Sequence, residues 1–177
     1  DIVNNMLNFS RPSKDSEQAE DLRSIFDQTI DLAENKYDLK KHYDFRNIKI
    51  TKEYQDNMPR VNCRVQELQQ VFLNLLTNSV QAMALDTNPD KPAPSIVIRI
   101  YSDARNAVVE IEDNGPGLDE AIKNRIFEPF FTTKRVGEGT GLGLSISYFI
   151  ITQAHQGSIS VESSPGQGCR FIISLPL

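Results

Sequence analysis

Apolar residues recur at three- and four-residue spacing in two long segments, which predicts two amphipathic helices. The first covers residues 21–34 and the second covers residues 64–84. The second has the longer apolar face, formed by Leu68, Val71, Phe72, Leu75, Leu76, Val80 and Met83. A short helix is predicted within residues 119–125, and a further helix opens after a glycine-rich loop and continues to about His155.

Alternation of apolar and polar positions predicts strands between these helices. The predicted strands are residues 47–55, 95–102, 107–113, 158–163 and 169–175. A chain of 177 residues is long enough to bury one hydrophobic core. The mixture of elements predicts a single α/β (α+β) two-layer sandwich, in which helices cover one face of a sheet.

The first residues have a different pattern from the rest of the chain. Ile2, Met6 and Phe9 follow the spacing of a coiled-coil helix, which Pro12 ends. Residues 1–12 are therefore predicted to be the end of a preceding helix, residues 13–20 a linker, and residues 21–177 the main domain. We expect the chain to be a fragment of a longer protein.

Composition excludes several kinds of function. The net charge is -5 and the basic residues form no long cluster, which disfavours nucleic-acid binding. His42 and His155 have no neighbours with metal-ligand spacing, and both are predicted to be structural. No apolar run is long enough to span a bilayer. We expect a cytoplasmic domain of a protein whose remainder could be membrane-bound.

Four polar residues share one border of the second helix's apolar face. At about 100° per residue, Glu67, Asn74, Asn78 and Gln81 fall on a narrow stripe. Such a stripe is usually a solvated margin. Two asparagines in mid-helix favour ligand contacts, because asparagine is a mediocre helix former and its amide oxygen suits Mg²⁺.

Two glycine-rich segments have the composition of ligand-binding loops. Residues 113–117 directly follow a strand, where Asp113 could accept a hydrogen bond from an exocyclic amine. Residues 139–144 open a helix, and the backbone N–H groups at such a helix start point at anions. Either segment alone is a weak signal, because similar loops are common turns.

An aromatic segment between these loops carries two positive charges. Phe127, Phe130 and Phe131 indicate either core packing or the apolar hinge of a mobile segment. Lys134 and Arg135 follow. They are either solvated charges or the cations that an acidic domain needs in order to hold a phosphate group.

The order and spacing of these four segments is more specific than any one of them. Together they resemble the asparagine box, first glycine box, phenylalanine box and second glycine box of the sensor histidine kinases, in the GHKL ATPase superfamily. The amino-acid sequences of these segments are most similar to those of the nitrogen-regulator-like subgroup. Residues 7–12 resemble the end of the dimerisation domain of the sensor histidine kinases. The resemblance implies a mixed sheet with helices on one face, the Bergerat-type ATP-binding fold.

The resemblance also implies a role for individual residues. Asn78 would coordinate Mg²⁺ bound to ATP, with Asn74 assisting one turn earlier. Asp113 would recognise the adenine amino group, and Gly115 and Gly117 would shape the wall beside it. The loop expected to wrap the phosphates contains Gly139, Thr140, Gly141, Leu142 and Gly143. Residues 119–138 would contain the lid over ATP.

Three further positions, Gln81, Asn74 and Glu67, bear on these roles. Gln81 stands where many family members have a phosphate-contacting lysine, so Lys134 or Arg135 is expected to supply that charge. Superfamily members that hydrolyse ATP carry a glutamate base one turn before the magnesium ligand, where this chain has Asn74. An amide cannot accept a proton near neutral pH, which favours transfer over hydrolysis. Glu67 is a further candidate for contacting magnesium or the acceptor.

The implied function is that of a protein histidine kinase catalytic domain, which binds Mg-ATP and phosphorylates a histidine absent from this chain. Its partners would be its own dimerisation helices, in a homodimer of the full-length protein, and a response regulator. The isolated domain would be monomeric. Three alternatives stay open: a GHKL ATPase that changes conformation, an anti-sigma-type serine kinase, and a degenerate nucleotide sensor.

Overall fold

The computed structural model describes residues 16–35, 45–134 and 139–177. Its helices are α1 (Leu22–Asn35), α2 (Val65–Leu85), α3 (Glu120–Lys123) and α4 (Gly143–Phe149). Its strands are β1 (Gln18–Glu20), β2 (Lys49–Tyr54), β3 (Val61–Cys63), β4 (Ser95–Ser102), β5 (Asn106–Asp113), β6 (Ser158–Ser163) and β7 (Cys169–Pro176). The predicted helix at residues 1–12, His42 and Arg135 lie outside the described residues.

The main sheet has five strands in the order β2-β4-β5-β7-β6. Strands β2 and β4 are parallel and the other neighbours are antiparallel, which confirms the mixed sheet. Successive residues of β4 point to opposite faces. Ile96, Ile98 and Ile100 are fully buried, whereas Arg99 and Tyr101 lie on the outer face. The core therefore lies on the inner face, under the helices.

Helix α2 lies within one residue of its predicted bounds, and its predicted apolar face is buried. It packs against α1, where the rings of Phe26 and Phe72 have centroids 4.6 Å apart. The polar border of α2 is thereby left at the edge of the layer. A helix anchored along its whole apolar face is a rigid support for functional side chains.

The predicted linker at residues 13–20 is wrong for its last residues. Gln18–Glu20 forms β1, which pairs antiparallel with β3 as a separate two-stranded sheet. Neither three-residue strand was predicted, because such short segments carry no readable alternation and only pairing with each other makes them strands. The folded domain therefore includes residues before position 21.

The helix that begins at α4 changes its geometry before it ends. Residues Ile150–Ala154 form a π-helical turn, and His155 follows it. His155 Nδ1 lies 3.0 Å from the carbonyl oxygen of Ile150, and Nε2 accepts a hydrogen bond from the backbone N–H of Arg64 at 3.1 Å. The imidazole therefore joins the start of α2 to the end of this helix, which supports the structural role predicted for His155.

The outer face of the sheet carries a buried carboxylate within a network of charges. Glu110 is only 8% exposed. Its Oε1 accepts a hydrogen bond from the hydroxyl of Tyr101 at 2.8 Å, and its Oε2 lies 3.6 Å from Arg99 and 3.7 Å from Arg170. Because removing one member leaves buried partners unsatisfied, this cluster stabilises three strands together.

We expect Glu110→Ala to lower the free energy of unfolding by about 1–3 kcal/mol, because it removes a buried acceptor between two arginines. Glu53→Ala removes a more exposed partner of Arg99 and should cost less than about 1 kcal/mol. Urea unfolding followed by circular dichroism measures both. Equal losses for the two variants would show that burial does not strengthen the Glu110 cluster.

Candidate nucleotide-binding site

The polar border of α2 faces the segment that follows the phenylalanines. The ammonium group of Lys134 donates hydrogen bonds to Asn78 Oδ1 at 3.1 Å and to Gln81 Oε1. Positions 78 and 81 are one turn apart on the helix, so a single cation reaches both amide oxygens. The structure therefore places a positive charge against the residue expected to bind magnesium.

The backbone around Lys134 holds this side chain in place. Its N–H donates to Thr132 Oγ1 at 3.1 Å. A side chain at Gly139 would come within 3.0 Å of both Lys134 Cδ and Thr132 Oγ1. Gly139, predicted to wrap phosphates, thus also leaves room for the lysine that reaches across to α2.

Asn74 connects α2 to the helix after the second glycine-rich loop. Its Nδ2 donates to Ser147 Oγ at 3.0 Å, and that hydroxyl donates to the carbonyl oxygen of Gly143 at 3.1 Å. A Cβ atom at Gly143 would lie 2.3 Å from Asn74 Oδ1. Gly143 therefore makes room for the asparagine. Ser147, which is 1% exposed, was not predicted, although a serine among apolar helix positions was the available signal.

The loop before α4 is tied to the phenylalanine segment. The N–H of Phe130 donates to the carbonyl oxygen of Gly141 at 2.9 Å, and a Cβ atom at Gly141 would lie 2.4 Å from the carbonyl carbon of Phe130. Gly141 also has a φ of +65°, which favours glycine. Thr140 Oγ1 accepts a long hydrogen bond from the N–H of Leu142, at 3.4 Å. The two segments thus form one connected wall.

The three phenylalanines have different environments. Phe127 and Phe131 pack against the core, and the guanidinium of Arg125 lies 4.4 Å from the ring centre of Phe131. Phe130 is 63% exposed and has a positive φ of 65°. A shared role of all three as an apolar hinge stays a prediction, and only two of them are anchored by core packing.

Asp113 lies at the end of β5 and is 5% exposed. Its Oδ1 accepts hydrogen bonds from the N–H groups of Gly115 at 3.0 Å and Cys169 at 3.2 Å. Burial raises the pKa of Asp113, and the hydroxyl of Ser79 and the two N–H groups partly offset this effect. A buried carboxylate in such a position is typical of a ligand-binding group. Ser79 was not predicted.

The two glycines after Asp113 differ in what they make room for. A Cβ atom at Gly115 would lie 3.0 Å from Asp113 Oδ1 and 3.2 Å from Met83 Cγ. A Cβ atom at Gly117 would lie 2.1 Å from the carbonyl oxygen of Ser164, and Gly117 has a φ of +71°. Gly115 thus borders the carboxylate, whereas Gly117 allows another turn of the backbone to approach.

Glu67 lies apart from this group. One carboxylate oxygen is 3.4 Å from Arg64 and the other is 3.9 Å from His155 Nδ1. Eleven residues of helix separate Glu67 from Asn78, a rise of about 16 Å. The structure does not bring Glu67 together with the proposed magnesium ligand.

The donors in the described part of the chain suit a metal that is held mainly by its substrate. Residues 16–35, 45–134 and 139–177 contain no cluster of three His, Cys, Asp or Glu side chains that could hold an ion. Mg²⁺ commonly keeps its waters and binds through few protein oxygens together with phosphate groups. Asn78 Oδ1 already faces a cation in the form of Lys134 Nζ, so it fits that role.

A cavity of about 180 Å³ borders this site at Gly115. Val80, Met83 and Ala84 line it together with Ile48 and Gly115. It shares Gly115 with the site, and Asn114 of the same loop lines it, but Asn74, Asn78, Asp113 and Lys134 do not. The polar groups, and not this cavity, define the candidate site.

A mixed sheet under a helix with polar border residues, a buried aspartate and two glycine-rich loops defines an ATP-binding module of the Bergerat type. Residues 63–177 match the family described as histidine kinase-, DNA gyrase B-, and HSP90-like ATPase, and the chain belongs to this family. It is 37% identical over 180 residues to the signal transduction histidine-protein kinase AtoS of Escherichia coli K12, and 34% identical over 176 residues to sporulation kinase E of Bacillus subtilis.

Solved structures agree with this classification. The catalytic domain of histidine kinase ThkA is 30% identical, with a TM-score of 0.72, and the match covers 90% of this chain and 95% of that domain. The matches to these two curated relatives include 99% of this chain. They span only 26% and 22% of the relatives' own lengths. None of the helices in the part of the chain that the structure describes could cross a membrane.

We expect Asp113→Asn to stabilise the nucleotide-free domain increasingly as the pH rises from about 4 towards 7. The folded-state pKa of Asp113 is raised above its ordinary value of 3.8, so stability is present below that value and is lost as the pH rises through the folded pKa. The asparagine does not ionise and avoids this loss. Urea unfolding at several pH values measures the difference.

Asp103→Asn is the matched control, because backbone hydrogen bonds lower the pKa of Asp103. Its ionised form stabilises the fold above the ordinary pKa, so this variant should become relatively less stable as the pH rises. Parallel trends for the two variants would contradict the burial effect at Asp113.

Proposed function

We propose that the domain binds Mg-ATP and transfers the γ-phosphate to a histidine on the dimerisation helices of a longer protein. The observation that carries this proposal is the opposition of two amide oxygens on α2, from Asn78 and Gln81, to the ammonium group of Lys134. This arrangement combines a neutral magnesium ligand with a cation for phosphate. Phosphoryl transfer needs mainly such positioning and charge neutralisation.

Nucleotide recognition would divide between two ends of the site. At one end, Asp113 holds Oδ1 in two backbone hydrogen bonds, and its second oxygen would accept a hydrogen bond from the adenine amino group. At the other end, Asn78 would coordinate Mg²⁺ and Lys134 would turn to a phosphate oxygen. Held by Asn78, the ion would supply neutralisation of the phosphate charge. Thr140 and Leu142 would contribute backbone contacts to the phosphates.

Asn74 favours transfer over hydrolysis. Its amide nitrogen donates to Ser147 and its oxygen lies beside Gly143, so the side chain is a positioned amide with no basic group. Water attacking ATP would find no proton acceptor there. A histidine acceptor brings its own nucleophilic nitrogen and does not need that base.

The partners proposed for the full-length protein are its own dimerisation helices, in a homodimer, and a response regulator. The two relatives are named as a signal transduction histidine-protein kinase and a sporulation kinase, and both extend well beyond the matched region. ThkA was solved in complex with the response regulator TrrA, and this chain aligns to that kinase with a TM-score of 0.74 and 27% identity. We also propose a cytoplasmic location for the domain.

Mixing this chain with the dimerisation segment of its parent protein and labelled ATP tests the transfer. We expect Mg²⁺-dependent labelling of that segment, with the acid lability of phosphohistidine, and at least a tenfold loss with Asn78→Ala. An acid-stable product would indicate a serine kinase instead. Steady hydrolysis by the chain alone, without labelling, would indicate a conformational ATPase.

If Lys134 supplies the positive charge that many family members have at position 81, moving the lysine back to position 81 should rescue nucleotide binding. We expect Lys134→Gln to weaken binding of a non-hydrolysable Mg-ATP analogue about tenfold, because a charge-assisted contact is lost. Adding Gln81→Lys to that variant should restore most of the affinity, since it returns an ammonium group to the same place from α2. Isothermal calorimetry measures each variant.

Gln81→Lys alone is the control for this exchange. It would place two ammonium groups beside Asn78, and their repulsion should prevent any gain in affinity. If the double variant binds no better than Lys134→Gln, the lysine does not supply the charge that Gln81 lacks.

A further inference from the structure

The turn between β6 and β7 lies against the loop that follows Asp113. The N–H of Gly166 donates to the carbonyl oxygen of Pro116 at 2.7 Å, and the N–H of Leu118 donates to Ser163 Oγ at 2.8 Å. Neither contact involves a residue that the proposed function uses. The turn at residues 163–168 and the loop at residues 114–118, here called the base loop, are therefore joined at two points.

Two glycines allow the turn and the base loop to touch along their backbones. A Cβ atom at Gly168 would lie 1.9 Å from the carbonyl oxygen of Asp113, and one at Gly117 would lie 2.1 Å from that of Ser164. Both glycines have positive φ, +74° and +71°. Each segment thus has a glycine where the other approaches, so their separation is set by backbone contact and not by adjustable side chains.

Ser163 joins both segments through one hydroxyl group. Its oxygen accepts from the N–H of Leu118 in the base loop, and its O–H donates to the carbonyl oxygen of Gly168 at 2.6 Å. The next residue, Cys169, donates its N–H to Asp113 Oδ1. The hydroxyl therefore holds the turn in the position from which the backbone of Cys169 orients the carboxylate.

The carboxylate is thereby fixed from two directions. Gly115 in the base loop and Cys169 after the turn both donate to the same oxygen, Oδ1, which determines where Oδ2 lies. A shift of the turn relative to the base loop would move one donor and rotate the carboxylate. A hydrogen bond prefers an angle above about 150° and weakens steeply below about 120°, so rotation of the carboxylate weakens its bond to an amine donor.

We infer that Ser163 and Gly168 are positioning residues for nucleobase selectivity, acting through Asp113. This inference rests on the proposed function, because it assumes that the second oxygen of Asp113, Oδ2, accepts a hydrogen bond from the adenine amino group. It adds the β6–β7 turn to the site. The turn determines how well adenine is distinguished from a purine that lacks the amino group.

The test compares calorimetric affinities for Mg-ADP and Mg-IDP, since the base of IDP has a carbonyl oxygen where adenine has its amino group. We expect Ser163→Ala to lower the ADP-to-IDP affinity ratio about fivefold, the size of one ordinary hydrogen bond. Loss of fold stability alone would weaken both ligands equally and leave the ratio unchanged. Ser160→Ala, at an exposed position on the same strand, is the control and should leave the ratio unchanged.

A second pair of variants decides the matter if Ser163→Ala folds poorly. Ser163→Thr and Ser163→Val have the same shape, but only threonine keeps the hydroxyl, so the threonine variant should retain the ratio and the valine variant should lose it. An unchanged ratio with valine would overturn the inference. Asp113→Asn tests the proposed adenine recognition separately from the role of Ser163. If this variant leaves the ADP-to-IDP ratio unchanged, Asp113 does not recognise adenine, and the inference about Ser163 is wrong as well.

Discussion

The buried carboxylate of Asp113 is the constraint around which the site is organised. A charge at this position costs stability in the empty domain, as its raised pKa shows, and two backbone N–H groups offset only part of that cost. One of those donors comes from the base loop and the other from β7. The sheet, the base loop and the β6–β7 turn must therefore meet at one oxygen atom before the second oxygen can bind a ligand.

Several segments of the site lie in close contact with each other, and glycine residues make this contact possible. Gly143 leaves room for Asn74, Gly141 for Phe130, and Gly168 for the carbonyl group of Asp113. The glycine-rich loops thus have a packing role in addition to any contact with phosphate. A substitution at these positions would separate elements of the site even if it left the ligand's own space free.

Charge is distributed across the site in a way that suits an acidic protein. The cation near the proposed magnesium position comes from Lys134, on the segment opposite α2, and it reaches Asn78 and Gln81 together. At this place the helix itself presents only the neutral amides of these two residues. Affinity for a triphosphate would depend on the position of the opposite segment, which couples closure over the nucleotide to the electrostatics of binding.

The amino-acid sequence alone determined the periodic elements and the chemistry along α2. The apolar face of α2 and the alternation in β4, β5 and β7 follow from local spacing, because one buried face imposes a fixed period. The sequence also predicts that the asparagines of α2, Asp113 and Lys134 belong to one site. The short strands β1 and β3, the hydroxyls of Ser79 and Ser147, and the separation of Glu67 from Asn78 were decided by the tertiary structure. These depend on contacts between distant segments, and no local period records which segments will meet.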